Sequence, residues 1–237
     1  MAKMTLEDLT TQLTRAHGDQ LTAVVLYGSA ARGEHVKATS DLNVLVIVRS
    51  LTPATLRASA AAAAAWGKAG NPPPLILTDA EWASSRDVFA MEYADIQEVH
   101  RVLAGTLPAG PAVALADLRH QLEFEAMGKL LQFRRGILAC DGDAKRELDL
   151  LTAMKGTTLV LFRTLLRAHG KAVPTESTEA VRQAAALADL DAAPFLEVVA
   201  HAHGTVKIAV ARADEVLRAY HAGLQRFVAH VDALTHE

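Results

Sequence analysis

The stretch from Thr22 to Val48 constrains the fold of this 237-residue chain more than any other. It contains two apolar, β-branched runs, Thr22 to Tyr27 and Leu42 to Val48, of the kind found in strands that are covered on both faces. The first run leads into Gly28-Ser29, and the second opens with Asp41-Leu42-Asn43. The stretch therefore predicts two neighbouring strands with polar residues gathered where one strand ends and the other begins.

Helices and further strands alternate with this pair in the first part of the chain. The pattern predicts a helix from Thr5 to about His17, a helix from Pro53 to about Lys68, a strand from Leu75 to Leu77, a brief helix capped by Thr78 or Asp79, and a fourth strand from Val88 to Ile96. Strands interleaved with helices indicate a small sheet that is layered with helices.

The character of the sequence changes after the Pro- and Gly-rich segment 105–111. Apolar residues such as Leu115, Leu118 and Leu122 then recur at helical spacing, and no further β-rich run follows. Gly170 lies where it would end one of these helices. We therefore predict an α+β chain of two domains, a mixed-sheet domain over residues 1–106 and an antiparallel helical bundle over residues 111–237.

The composition excludes several classes of protein. Apolar residues make up 51% of the chain and charged residues 22%, which is enough for buried cores and unlike a disordered chain. A net charge of -3 argues against binding long nucleic acid, because that needs a basic face. The run from Ala58 to Ala65 is too short to span a bilayer, and a single cysteine excludes an internal disulfide framework. We expect a cytoplasmic protein that has no membrane partner.

The residues at the junction of the first two predicted strands can carry phosphate and metal chemistry. A strand that ends in Gly28-Ser29 and feeds a helix offers backbone N–H groups and a hydroxyl to an anion such as phosphate. Asp41 and Asn43 are two apart on one strand, so their side chains point the same way. Oxygen ligands beside a phosphate site suit Mg²⁺ that is bound between a protein and a triphosphate. The same residues also fit a structural turn before a capped strand.

Taken together, Gly28-Ser29, Arg32-Gly33-Glu34 and Ser40-Asp41-Leu42-Asn43 resemble the signature of the DNA polymerase beta-like nucleotidyltransferase superfamily. The two-domain layout resembles the aminoglycoside adenylyltransferases of the streptomycin/spectinomycin type. The resemblance implies transfer of a nucleoside monophosphate from ATP or another NTP to a hydroxyl of a small molecule, with Mg²⁺. It implies a nucleotide and a small-molecule acceptor as partners, and it leaves homo-oligomer formation open.

The resemblance also implies a metal-binding and catalytic set of side chains. Asp41 would be catalytic and would hold the metal together with Asn43. A third carboxylate, either a metal ligand or the general base, would come from the predicted fourth strand. Glu92 is the preferred candidate and Asp95 the alternative. Because these two residues are three apart, they would face opposite ways within a regular strand.

The nucleotide contacts that the resemblance implies come from both domains. Gly28 and Ser29 would bind the triphosphate. Arg32 and Lys37, between the two halves of the signature, are candidate phosphate contacts. Lys155, in the predicted bundle, would reach the triphosphate from the second domain.

Asn43 departs from the superfamily pattern, which has a second acidic residue at this position. A neutral amide offers one carbonyl oxygen and no charge, so the affinity for a metal ion that bridges both side chains should fall. An alternative function follows, in which the chain is a catalytically inactive nucleotidyltransferase-fold protein that binds nucleotide or a protein partner.

Overall fold

A computed structural model of the chain describes residues 3–33, 41–110 and 112–234. The chain divides into two units, Met1–Val113 and Ala114–Glu237. The first unit contains, in order, helix α1 (Leu6–His17), strand β1 (Leu21–Tyr27), strand β2 (Asn43–Val48), helix α2 (Pro53–Lys68), strand β3 (Leu75–Thr78), helix α3 (Asp79–Ser84), helix α4 (Ala90–Glu98) and strand β4 (His100–Gly105).

The four strands form one mixed sheet in the order β3-β2-β1-β4. Strand β1 is antiparallel to both of its neighbours, whereas β2 and β3 are parallel. The predicted α+β class with a small mixed sheet is therefore confirmed. Tyr27 pairs with Asn43 on β2 and with His100 on β4, so the C-terminal end of β1 meets the first residues of both neighbours at one edge of the sheet.

Both faces of this sheet are covered, which explains the unbroken apolar runs of β1 and β2. One face packs against the first two helices through buried residues that include Leu9, Leu13, Val24, Leu26, Val44, Val46 and Trp66. The other face packs against α3 and α4 through Ala23, Val25, Leu45, Ile47, Trp82, Tyr93 and Ile96. Tyr27 packs against this second cluster, and Asn43 points to the same face because it alternates with Val44.

Threonine caps begin three of the helices in this unit. The Thr5 hydroxyl accepts the amide N–H of Asp8, and the Thr78 hydroxyl accepts that of Glu81, each as part of a capping box. Thr52 caps α2, and Pro53 is the first residue of that helix, as predicted. A cap of this kind is worth about 1 kcal/mol.

The predicted fourth strand from Val88 to Ile96 is wrong, because most of this segment lies in α4 and the strand follows the helix. Tyr93 and Ile96 are both buried and three residues apart, which is helical spacing. Ala, Met, Glu and Gln also favour a helix over a strand. Glu92 and Asp95 are therefore neighbours on one side of a helix and do not face opposite ways.

The segment predicted as the domain boundary packs onto the first unit. The indole N–H of Trp82 donates to the carbonyl oxygen of Pro108 at 3.1 Å. Leu107 and Val113 pack against the cluster that contains Trp82. The division of the chain accordingly falls after Val113.

The regular structure described in the second unit is helical. It comprises α5 (Leu115–Cys140), α6 (Ala144–Ala168), α7 (Ser177–Leu187), α8 (Ala193–Ala202), α9 (Ala213–Leu234) and one short 3-10 turn (Val210–Arg212). Aromatic residues from four of these helices pack against one another in its core in tilted and edge-on arrangements, namely Phe133, Phe162, Phe195, Tyr220 and Phe227. Gly170, with φ +65, follows the end of α6 as predicted. The antiparallel orientation of the bundle stays a prediction. Within the described ranges, no helix is long and apolar enough to cross a membrane.

Candidate functional site

The edge of the sheet at the end of β1 carries most of the predicted site residues of the first unit. Gly28 to Ala30 form a single 3-10 turn directly after β1. The amide N–H groups of Ala31 and Arg32 both donate to the carbonyl oxygen of Gly28. Up to Gly33, the helix predicted after Gly-Ser is therefore only this single turn. So short a turn has little of the macrodipole by which a longer helix attracts an anion to its N-terminus. Lys37 lies outside the described residues.

Gly28 and Asn43 lie against each other across the first two strands. Gly28 has φ +75, a backbone conformation that residues with a side chain rarely adopt. A Cβ atom at this position would lie 3.1 Å from the side-chain nitrogen of Asn43. Both the backbone and the available space therefore select glycine, and the two halves of the sequence signature meet at this contact.

The start of β2 is held by a residue that the sequence reasoning missed. The amide N–H of Leu42 donates to the side-chain carbonyl oxygen of Asn71 at 3.0 Å. This bond fixes the chain between Asp41, which is exposed, and Asn43, which is half-buried. Asn71 lies in the Gly- and Pro-rich segment before β3, where the sequence pattern indicates only a break between elements.

Helix α4 brings two carboxylates close to the end of β1. Burial raises the pKa of the Tyr27 phenol, and the negative charges of Glu92 and then Asp95 raise this pKa further. Tyr27 is the residue that pairs with Asn43. Glu92 is exposed and Asp95 is partly buried. Glu92 and Asp95 are therefore within electrostatic reach of the Tyr27 phenol, on the face of the sheet that α4 covers.

A buried ion pair ties the turn after β1 to α4. The Arg32 side chain is only 1% exposed, and its guanidinium lies 2.5 Å from a carboxylate oxygen of Asp95 and 3.6 Å from one of Glu98. This pairing engages Asp95 and leaves Glu92 as the more exposed of the two candidate carboxylates. The predicted phosphate contact of Arg32 stays a prediction, and its role within the first unit is to join these two segments.

His100 is a second residue that the sequence reasoning missed. It pairs with Tyr27, so its side chain is on the face that carries Tyr27 and Asn43. Its Nδ1 lies 2.7 Å from the carbonyl oxygen of Ile96, which can only accept, so Nδ1 carries the proton. In the neutral ring Nε2 is then a proton acceptor. His100 lines a pocket of about 280 Å³ together with Gln97. Because the sequence predicts the fourth strand over Val88 to Ile96, it does not indicate that His100 begins β4 and pairs with Tyr27.

Lys155 lies in α6 of the second unit, where it is half-buried. Its predicted contact with the triphosphate stays a prediction.

The predicted metal-binding set offers two carboxylates and one amide oxygen. In the part of the chain that the structure describes, no group of three or more His, Cys, Asp or Glu side chains is placed to hold a metal ion. The predicted set consists of the carboxylate of Asp41, the amide oxygen of Asn43 and the carboxylate of Glu92. Mg²⁺ is commonly bound through one or two carboxylates plus the phosphates of a substrate, and Asp41 and Asn43 fit that mode.

Comparison with known proteins gives a structural likeness only. No protein-family model matches the chain, and no curated protein matches it. Among solved structures, the chain is similar to spectinomycin adenyltransferase AAD(9) from Enterococcus faecialis, which was crystallised with ATP and spectinomycin. The identity is 13%, the match covers 96% of this chain and 95% of that one, and the TM-score is 0.47.

Proposed function

We propose that this protein is a nucleotidyltransferase that transfers a nucleoside monophosphate from ATP or another NTP to a hydroxyl of a small molecule, with Mg²⁺. One observation carries the proposal. The pairing of β1 with β2 sets Gly28 against Asn43, next to Asp41, and the negative charge of Glu92 on α4 raises the pKa of Tyr27, the residue that pairs with Asn43. The two halves of the superfamily signature, Gly28-Ser29 and Asp41-Leu42-Asn43, are separate in sequence, and the contact between Gly28 and Asn43 supports treating them as one site.

The proposed phosphate contacts follow from the turn after β1. Gly28 has no side chain, so phosphate oxygens can approach its backbone closely. The Ser29 hydroxyl is a donor for the same oxygens. Asp41 and the carbonyl oxygen of Asn43 would hold Mg²⁺, which when bound neutralises phosphate charge and polarises the phosphoryl group. Because Asp41 is exposed, it is accessible to a nucleotide that enters from solvent.

Two residues compete for the role of proton acceptor from the attacking hydroxyl. Glu92 is favoured by its exposed carboxylate and by the engagement of Asp95 with Arg32. His100 is the second candidate, because its hydrogen bond to Ile96 leaves Nε2 as an acceptor. Glu92→Gln and His100→Gln separate them. The base is the residue whose replacement lowers the transfer rate about 10²-fold or more while the affinity for ATP stays unchanged.

Pyrophosphate release from ATP and Mg²⁺, measured with a panel of hydroxyl-bearing acceptors, tests the reaction directly. Asp41→Ala should abolish release. Asp19→Ala is the matched control, since Asp19 is an exposed carboxylate at the opposite end of β1. Asn43→Asp should raise the rate and lower the Mg²⁺ concentration needed for half-maximal activity, because it restores a charged ligand. An equal loss in Asp41→Ala and Asp19→Ala would contradict the proposed site.

The alternative function is a nucleotide-binding or partner-binding protein without catalysis. It is favoured by the neutral side chain at Asn43, whose nitrogen lies toward Gly28. This alternative predicts that ATP binds with little dependence on Mg²⁺ and that no acceptor yields pyrophosphate. Calorimetric titration of ATP with and without Mg²⁺ distinguishes the two functions. If no nucleotide binds, both the transferase and the non-catalytic nucleotide-binding protein are contradicted.

A further inference from the structure

Two histidine side chains meet at one end of the second unit. His169 is the residue that ends α6, and His230 lies in the last two turns of α9. Their Nε2 atoms are 3.4 Å apart. The centroids of the two rings are 5.6 Å apart, with 23° between the ring planes. The centroid distance exceeds the nitrogen distance by almost twice the distance from a ring centroid to its nitrogen, so the two rings point at each other through Nε2.

The distance between the two nitrogens suits a shared metal ion better than a hydrogen bond. Most N–H donors in proteins lie within about 3.2 Å of their acceptor, so a bond between these rings is a long one. Zn²⁺ binds imidazole nitrogen at about 2.0 to 2.1 Å in tetrahedral geometry, so two nitrogens on one ion lie about 3.3 to 3.4 Å apart. Such an ion lies to one side of the line between the nitrogens. A small rotation of each ring about its Cβ–Cγ bond directs both lone pairs at it.

The surroundings of the pair favour neutral rings and a bound cation. Burial lowers the pKa of His230, and a positive charge on His169 lowers this pKa further. A neutral ring whose proton is on Nδ1 presents the Nε2 lone pair to a metal ion. His169 stands at the C-terminal end of α6, where the partial negative charge of a helix end favours a cation. Both side chains are half-buried, so water can reach the space beside them.

We propose that His169 and His230 form a binding site for one divalent transition-metal ion, represented by Zn²⁺. Imidazole suits Zn²⁺, Cu²⁺ and Ni²⁺, whereas Mg²⁺ takes oxygen ligands and does not compete for this pair. Within the residues that the structure describes, no third His, Cys, Asp or Glu completes the set, so water fills the other positions on the ion and binding is reversible. The ion joins α6 to α9 within the second unit, and the proposal is independent of the proposed function.

Calorimetric titration of Zn²⁺ into the purified chain, with Mg²⁺ in excess, tests the site. His169→Gln and His230→Gln should each weaken Zn²⁺ binding at least about tenfold, because each removes one of the two ligands, and even a lost partner behind a ligand costs about 10- to 100-fold in affinity. His120→Gln is the matched control, since His120 is exposed on α5 of the same unit. Circular dichroism checks that each variant is folded. A wild-type chain that binds no Zn²⁺, or equal affinities in His169→Gln and His120→Gln, refutes the proposal.

Urea unfolding of the wild-type chain, followed by circular dichroism of its helices, tests whether the ion joins α6 to α9. The two histidines are 61 residues apart in sequence, so the paired site is present only in the folded chain. Free Zn²⁺ at ten times its dissociation constant should therefore raise the ratio of folded to unfolded protein about elevenfold. The double variant His169→Gln/His230→Gln should show no such rise. If the two rings form only a hydrogen bond, Zn²⁺ leaves the unfolding of the wild-type chain unchanged, and this result overturns the site.

Discussion

Replacement of Arg32 by alanine tests how α4 is fixed at the candidate site. The Arg32 side chain is buried against Asp95 and Glu98. Removal of one partner from a buried ion pair costs about 3 to 5 kcal/mol, because the remaining charge loses its counter-charge in a poorly solvated position. The Asp95 side chain is 16% exposed and that of Glu98 is 35% exposed, so water relieves part of this cost. We expect Arg32→Ala to lower the free energy of unfolding of the first unit by about 2 to 3 kcal/mol.

Tryptophan fluorescence during urea unfolding measures this loss in the correct unit. The chain has two tryptophans, Trp66 and Trp82, and both are buried in the first unit. Arg57→Ala is the matched control, since Arg57 is exposed on α2 of the same unit. It should change the free energy of unfolding by no more than about 0.5 kcal/mol.

A double-mutant cycle with Asp95→Asn isolates the ion pair. The coupling energy between Arg32 and Asp95 should exceed about 1 kcal/mol, since the pair is close and largely desolvated. If Arg32→Ala unfolds at the same urea concentration as the Arg57→Ala control, Arg32 does not join the turn after β1 to α4. Asp95 would then be as good a candidate as Glu92 for the third carboxylate.

Two further predictions use the same fluorescence assay. Gly28→Ala should lower the free energy of unfolding by about 1 to 2 kcal/mol, because Gly28 has a positive φ and an added Cβ would crowd Asn43. Gly67→Ala is the control and should be neutral or stabilising, because an added Cβ at this position in α2 meets nothing within 4 Å. Equal effects of the two substitutions would contradict this explanation of Gly28. Burial lowers the pKa of His17, whose Nε2 lies 2.9 Å from the Ser59 hydroxyl. The unfolded state therefore binds more protons than the folded state, so stability present above about pH 6.5 is lost as the pH falls. His17→Gln should make the free energy of unfolding fall less steeply as the pH is lowered. If the pH profile is unchanged, groups other than His17 cause the loss of stability.

The central part of the site was predictable from the sequence because it depends on local patterns. The apolar runs of β1 and β2 are long and bounded by polar residues, so both strands and their order along the chain follow directly. Gly28 and Asp41 stand at the ends of those runs, and adjacency of the two strands brings them to one edge. The contact between Gly28 and Asn43 needs no more than this.

The surroundings of the site were not predictable in the same way. Strand β4 is an exposed edge strand without the apolar signature of a covered one, whereas the segment around Tyr93 is more apolar and therefore favours the wrong strand prediction. The bond from Leu42 to Asn71 and the ion pair of Arg32 with Asp95 join residues far apart in sequence. Such contacts depend on how the helices pack on the sheet, which periodicity does not encode.

Calorimetric titration of ATP and Mg²⁺ into wild-type, Asp41→Ala and Asp19→Ala protein tests the central claim most directly. If the junction of β1 and β2 is the nucleotide site, wild-type and Asp19→Ala should bind ATP with the same affinity, and Asp41→Ala should bind at least about tenfold more weakly in the presence of Mg²⁺. Equal affinities of Asp41→Ala and wild-type protein for ATP and Mg²⁺, or no binding to the wild-type chain, would contradict the claim.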